Sequence, residues 1–81
     1  MGRTSRRRPK HLGRKLLAIR QKLGLSQTQM TKALGLDVHH SAVSNYELGT
    51  REPDLLVVLA YARLAKVPME TLVDDKMKLP R

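Results

Sequence analysis

Three glycines divide the middle of the chain into short segments, and each follows a stretch with helical apolar spacing: Gly24, Gly35 and Gly49. Glycine often closes an α-helix, because it adopts the left-handed backbone conformation without strain. In the first stretch the apolar residues recur every three or four positions: Leu12, Leu16, Ile19 and Leu23. No stretch alternates in the way that strands do. The sequence therefore predicts an all-α bundle of four to five short helices.

The second and third segments carry their own start and stop signals. Ser26 can cap a helix in which Gln29, three residues on, reaches back to the backbone N–H of the cap, and Gly35 ends that helix. The third segment is predicted to run from His39 to Leu48. Its apolar residues, which would dock it on the bundle, are Ala42, Val43 and Tyr46.

The fourth segment follows a loop and is apolar on nearly every side. Asp54 is its predicted cap, and the helix runs from Leu55 to about Lys66. Such a helix is expected to be buried all round, or to serve partly as a contact between subunits. Pro68 opens a short fifth helix. The residues predicted to face inward there are Met69, Leu72 and Val73.

The charge distribution divides the chain in two. The net charge is +9, and residues 1–32 carry ten basic side chains and no acid. A one-sided positive field suits a polyanion, because basic side chains neutralise phosphates and release their counterions. With Tyr46 and Tyr61 as the only aromatic residues, the chain lacks a platform for stacking single-stranded bases, so a duplex is favoured.

Residues 1–10 are predicted to be a disordered basic arm, residues 11–74 the folded domain and residues 75–81 a frayed tail. Arg6, Arg7 and Arg8 give the arm its charge. We expect these arginines to wrap the duplex or to enter its minor groove.

Several other classes of protein are disfavoured. There is no cysteine, so disulfides and thiolate metal sites are excluded. The longest apolar run, Leu55 to Ala62, is far shorter than the ~20 residues of a membrane span. Asp37 near His39 and His40 suggests a metal site only weakly, because adjacent helical residues point apart and a fourth ligand is missing. The serines near these histidines lack an element that stabilises an oxyanion. We expect a soluble cytoplasmic protein, associated with the nucleoid, with no cofactor, bound metal, catalysis or membrane contact.

The third segment is the candidate for reading DNA. A helix that enters the major groove needs one apolar side for docking and short polar side chains on the other. The polar candidates are His40, Ser41, Ser44 and Asn45. Asparagine can bond to adenine N6 and N7 together, serine accepts several partners, and histidine can donate to guanine N7 or to a phosphate.

These segments resemble the helix-turn-helix family of Cro and the lambda-type repressors, also called the XRE family. The resemblance covers Gly13 to about Val73. Its motifs are Gly24-Leu25-Ser26-Gln27, Met30, Ala33-Leu34-Gly35, Val43-Ser44-Asn45-Tyr46-Glu47, Gly49 and Pro53. The turn before Tyr46 is two residues longer than the family's usual turn. Thr31 stands where the family prefers alanine, and Met30 where it usually has leucine.

The resemblance implies roles for the matching positions. Gln27 would bond a phosphate and brace the reading helix, and Arg51 would touch the sugar-phosphate backbone. Glu47 would be structural, tied to basic residues of the domain itself. The positions that would face bases or flanking phosphates are His40, Ser41, Ser44 and Asn45.

The expected function is a sequence-specific regulator of transcription that binds double-stranded DNA, acting as a repressor and as a homodimer on a palindromic operator. The dimer surface is expected within Val67–Leu79, which is rich in apolar residues for a tail. Three alternatives stay open. The chain could be the antitoxin of a toxin–antitoxin pair, an adaptor or coactivator that contacts the transcription machinery, or a protein that binds duplex RNA through its arm.

Overall fold

The computed structural model describes residues 9–35, 38–39 and 41–80, and within these it contains five helices and no strand. The helices are α1 (Leu12–Leu23), α2 (Gln27–Leu34), α3 (Ala42–Leu48), α4 (Leu55–Ala65) and α5 (Met69–Val73). The predicted all-α bundle of short helices is confirmed. No helix in the described part of the chain is long and apolar enough to cross a membrane.

The predicted boundaries follow from local backbone chemistry. The three glycines after α1, α2 and α3 all have positive φ angles, between 68° and 79°. The Ser26 hydroxyl accepts a hydrogen bond from the Gln29 backbone N–H at 3.0 Å, and the Gln29 side chain accepts one from the Ser26 N–H at 2.8 Å. Asp54 caps α4 by accepting from the Val57 N–H at 3.0 Å. The capping predictions for α2 and α4 are therefore confirmed.

The core lies where α1 and α4 meet the other three helices, since α1 packs on α3, α4 and α5, and α2 packs on α3 and α4. Its largest fully buried side chains are Leu16, Met30, Val43, Tyr61 and Leu72. A helix of seven or eight residues is too short to persist alone, so packing on α1 and α4 holds α2 and α3 in shape.

The prediction that the third helix starts at His39 is wrong, because α3 starts at Ala42. The His39 ring nitrogen Nδ1 lies 2.8 Å from the Ser41 hydroxyl oxygen and accepts from the Ser41 backbone N–H at 3.2 Å. Such local side-chain bonds compete with helix formation. The helix therefore begins only after Ser41, and residues 38–39 of the longer turn are not helical.

Two expectations about burial are also wrong, and one buried charged residue was not predicted. In α4, Leu55 and Leu56 are 72% and 62% exposed, so that helix is not buried all round. In α5, Val73 faces outward and Thr71 is buried in its place. In α1, Lys15 is buried, because its ammonium group donates to the carbonyls of Thr71 and Asp74 at 2.8 and 2.9 Å.

The segment after α5 is attached to the bundle, although it was expected to fray. The Asp75 carboxylate accepts hydrogen bonds from the backbone N–H groups of Lys10 and His11, at 2.8 and 3.1 Å, and these bonds lower its pKa. Leu79 packs partly against the core. The start of the described chain is thereby held beside its end. The exact domain boundaries stay a prediction.

Candidate nucleic-acid interface

The outward side of α3 is a single face formed by its cap and three of its residues. They follow the spacing i, i+3, i+4 and i+7: Ser41, Ser44, Asn45 and Leu48. We call these four residues the reading face. Ser41 and Leu48 are exposed and the two between them are half-buried. The opposite side of the helix is at most 5% exposed and consists of Ala42, Val43 and Tyr46. A polar surface of this shape is what a groove-reading helix requires.

Leu48 was not among the candidate residues, and it is the most exposed member of the reading face at 72%. The sequence does contain a signal for it, because Leu48 lies four residues after Ser44 and so shares its side of a helix. Only the polar residues on that side were predicted to read DNA.

The orientation of α3 is fixed by one carboxylate that contacts two other helices. Glu47 accepts from Arg20 of α1, with Nε–Oε2 at 2.6 Å and Nη2–Oε1 at 3.1 Å. Its Oε1 also accepts from the Gln27 amide of α2 at 3.1 Å. Arg20 donates a further bond to the Leu25 carbonyl at 3.0 Å. Hydrogen bonding to Glu47 raises the pKa of the Arg20 guanidinium. The carboxylate is thus a junction between α1, α2 and α3.

This junction has the geometry of the structural role implied for Glu47. Its side chain is only 6% exposed, and that of Arg20 is 17% exposed. Gln27 contacts α3 through this carboxylate. A charge-assisted, bidentate pair that is mostly withdrawn from water is strong and directional, so it sets the angle of the reading face.

A second set of bonds holds the far end of α3 to the loop that follows. The Asn45 backbone carbonyl accepts from the N–H groups of Thr50 and Arg51, at 3.0 and 3.3 Å. The Thr50 hydroxyl lies 3.3 Å from the Asn45 side-chain oxygen. Arg51 is exposed. These bonds hold the backbone of Arg51 close to the C-terminal end of α3.

The described chain begins close to the same end of α3. Pro9, Gly49 and Arg51 line one small depression, together with Tyr46 on its floor. Pro9, the first described residue, thus lies near Arg51. Arg6, Arg7 and Arg8 themselves lie outside the described residues, as does His40.

Two departures from the family pattern can be compared with the structure. The Thr31 hydroxyl donates to the Gln27 carbonyl of its own helix at 3.0 Å, so it satisfies its hydrogen bond within α2. Met30, in place of the usual leucine, is fully buried. Within the described residues no group of three or more acidic or histidine side chains is arranged for a metal ion, and Asp37 lies outside them.

The architecture is that of a helix-turn-helix protein: α2 packs on α3, and the reading face of α3 is exposed or half-buried among the described residues. Residues 16–72 match the helix-turn-helix family, and the chain belongs to that family. The resemblance to Cro and the lambda-type repressors is thereby confirmed.

Among solved structures, the chain is similar to the P22 c2 repressor protein in complex with synthetic operator 9T in the presence of Tl⁺. The TM-score is 0.69 and the sequence identity 26%, over 79% of this chain and 94% of that one. None of the curated proteins matches the chain significantly.

Proposed function

We propose that this chain is a transcription regulator that binds double-stranded DNA by placing α3 in the major groove. The observation that carries the proposal is the reading face on a helix that is anchored to α1, to α2 and to the loop that follows it. The Glu47 junction and the Asn45–Thr50 bonds fix the helix before any ligand arrives. A similar protein, the P22 c2 repressor, has been solved in complex with a synthetic operator.

We assign base contacts to the middle of the reading face. Ser44 and Asn45 are half-exposed on the side of α3 that the bundle leaves open. The amide group of Asn45 can donate to a base edge while its oxygen faces the Thr50 hydroxyl. Ser41, at the cap, would contact a base or a flanking phosphate, and we assign His40 to the same part of the interface.

Phosphate contacts are assigned to residues on both sides of the reading helix. Gln27, at the first position of α2, would use its remaining amide hydrogen-bonding capacity toward a phosphate on one strand. Arg51 would bind a phosphate on the other side of the reading helix. Since Pro9 and Arg51 line the same depression, Arg6, Arg7 and Arg8 would extend the positive surface along the duplex or into its minor groove.

We further propose that the protein acts as a homodimeric repressor on a palindromic operator. One short helix reads too few base pairs to select a site in a genome, and two half-sites about 34 Å apart solve this problem. Leu72, in the tail region first considered for the dimer surface, is fully buried in the subunit's own core. The exposed apolar residues Leu55 and Val73 line one groove, and we propose this groove, which keeps Val73 from the predicted range, as the dimer surface.

Selection of binding sites from random duplexes by the purified protein tests the function directly. A palindromic consensus is expected. The absence of any enriched sequence would contradict the proposal and favour an adaptor, and a toxin that copurifies would favour an antitoxin. If the full-length protein shows no sequence preference and deletion of residues 1–10 abolishes duplex binding, the arm would be favoured as the sole binding element.

Variants separate the residue roles. Asn45→Ala should relax the consensus at one position in each half-site, at a cost of about 1–3 kcal/mol. Arg51→Ala should weaken binding to all sequences and reduce the slope of log affinity against log salt by about one. The matched control is Arg63→Ala, which removes an exposed arginine on α4 and should leave both quantities unchanged.

A further inference from the structure

Leu48 is an apolar side chain at the end of an otherwise polar reading face. It is the last residue of α3 and is 72% exposed, whereas the other apolar residues of this helix are at most 5% exposed. A single exposed leucine is ordinary on a protein surface. This one shares its helix side with Ser44 and Asn45, so it would enter the same groove as they do.

The major groove offers one kind of apolar group to a protein. Each A·T pair presents the 5-methyl group of thymine there, while the other base-edge groups are hydrogen-bond donors or acceptors. We propose that Leu48 packs against the 5-methyl group of a thymine, and that it is a specificity-determining residue for that base pair. This inference rests on the proposed function, because it requires α3 to lie in the major groove.

The backbone around Leu48 is held firmly enough for such a contact. The N–H of Gly49 donates to the Tyr46 carbonyl at 3.2 Å, and the next two N–H groups donate to the Asn45 carbonyl. The last carbonyls of α3 are therefore partly satisfied within the protein and repel a DNA strand less. The backbone of Arg51 is bonded to this end of α3, and its cation would attract the same strand.

The helical spacing predicts where the thymine lies in the site. Leu48 is seven residues beyond Ser41, which corresponds to about 10 Å along the helix axis. Base pairs in B-DNA are about 3.4 Å apart, so this distance spans about three steps. The thymine should therefore occupy one end of the bases read in each half-site, one to two steps from those read by Ser44 and Asn45.

Replacement of thymine by uracil tests the contact at the level of one methyl group. Each thymine of the selected half-site is replaced in turn by uracil, which keeps every hydrogen-bonding group, and dissociation constants are measured for the full-length protein. At the position read by Leu48 the duplex should bind about fourfold more weakly, the fold-change that the burial of one methyl group produces.

The variant Leu48→Ala should bind the thymine site severalfold more weakly and should no longer distinguish it from the uracil site. Because Leu48 is exposed, the variant is expected to keep its fold, which urea unfolding checks. The matched control is Leu56→Ala, which truncates another exposed leucine, on α4, and should retain the full preference for thymine.

Equal affinity of the wild-type protein for thymine and uracil at every position would overturn the inference and leave the proposed function standing. So would a Leu48→Ala variant that still prefers thymine. A variant that dissociates more readily into monomers in sedimentation experiments would instead place Leu48 between two copies of the chain. If the wild-type protein selects no duplex at all, the proposed function itself fails.

Discussion

Gly13 is the position where a single methyl group should disturb the fold most informatively. It lies in the first turn of α1, where that helix crosses the end of α3. A Cβ atom added to Gly13 would stand 2.8 Å from the carbonyl oxygens of both Tyr46 and Glu47. Even close carbon–oxygen contacts in proteins are about 3.3–3.6 Å. The two helices would therefore have to separate by about half an ångström.

Two opposing effects determine the outcome of Gly13→Ala. Alanine favours a helix interior over glycine by up to about 1 kcal/mol, and Gly13 has no positive φ angle that alanine would strain. Against this, an extra methyl group in a packed contact costs about 1–3 kcal/mol. The two oxygens belong to the backbone and cannot rotate away as a side chain would. We expect steric repulsion to prevail and the variant to lose about 1–2 kcal/mol of stability.

Urea unfolding followed by circular dichroism measures this change. Ala18→Gly is the matched control, because Ala18 is exposed on the same helix and the substitution isolates the effect of helix propensity. A Gly13→Ala protein as stable as the wild type, or more stable, would refute the reasoning. Because the displacement falls on the end of α3 that carries Leu48, duplex affinity should fall as well.

Three further substitutions test separate features of the structure. Glu47→Gln should destabilise the protein by about 3 kcal/mol in urea unfolding, since it leaves the mostly buried Arg20 guanidinium without its carboxylate; a loss below 0.5 kcal/mol would contradict the role of the junction. Tyr61→Phe should be neutral or stabilising by about 1 kcal/mol, because the Tyr61 hydroxyl is buried with no hydrogen-bond partner among the described residues. Burial raises the pKa of this phenol in the folded state. Above about pH 10 the phenol therefore ionises more readily in the unfolded chain, and the free energy of unfolding falls as the pH rises. The phenylalanine variant should lose less stability in that range, as thermal unfolding at several pH values can show. Asp75→Asn should speed hydrogen exchange at the Lys10 amide, because it weakens the bond that this amide donates. In the wild type the same bond should be lost on acidification below about pH 4, as the pH falls through the lowered pKa of the Asp75 carboxyl. Exchange that is unchanged in both cases would show that this contact does not hold the start of the described chain.

The helix ends were predictable because they depend on neighbours in the sequence. A glycine after an apolar stripe, or a serine three residues before a glutamine, acts through bonds that span three or four residues. These signals located the capping box at Ser26 and Gln29 and the ends of α1, α2 and α3. The start of α3 escaped prediction, although the bond between His39 and Ser41 is also local, because no common motif describes it.

Burial was harder to predict because it depends on residues distant in the chain. The periodicity of α1 marks Lys15 as polar, but its ammonium group is buried against the carbonyls at the end of α5. Conversely, the apolar pattern of α4 marks Leu55 and Leu56 as core residues, although nothing in the described chain covers them fully. A pattern tells which residues share a side of a helix, and only the packing tells which side is covered.

The reading face combines both kinds of information, and this has a consequence for its function. Helical spacing places all four of its residues, Leu48 included, on one side of a helix, but α3 is too short to be helical by itself. Its shape depends on the Glu47 carboxylate, whose partner Arg20 lies 27 residues away in the chain. A substitution that weakens this pair should therefore lower stability and duplex affinity together. Ser44→Ala, by contrast, removes only a hydroxyl from the exposed side and should lower affinity alone, so the two variants separate what holds the helix from what reads with it.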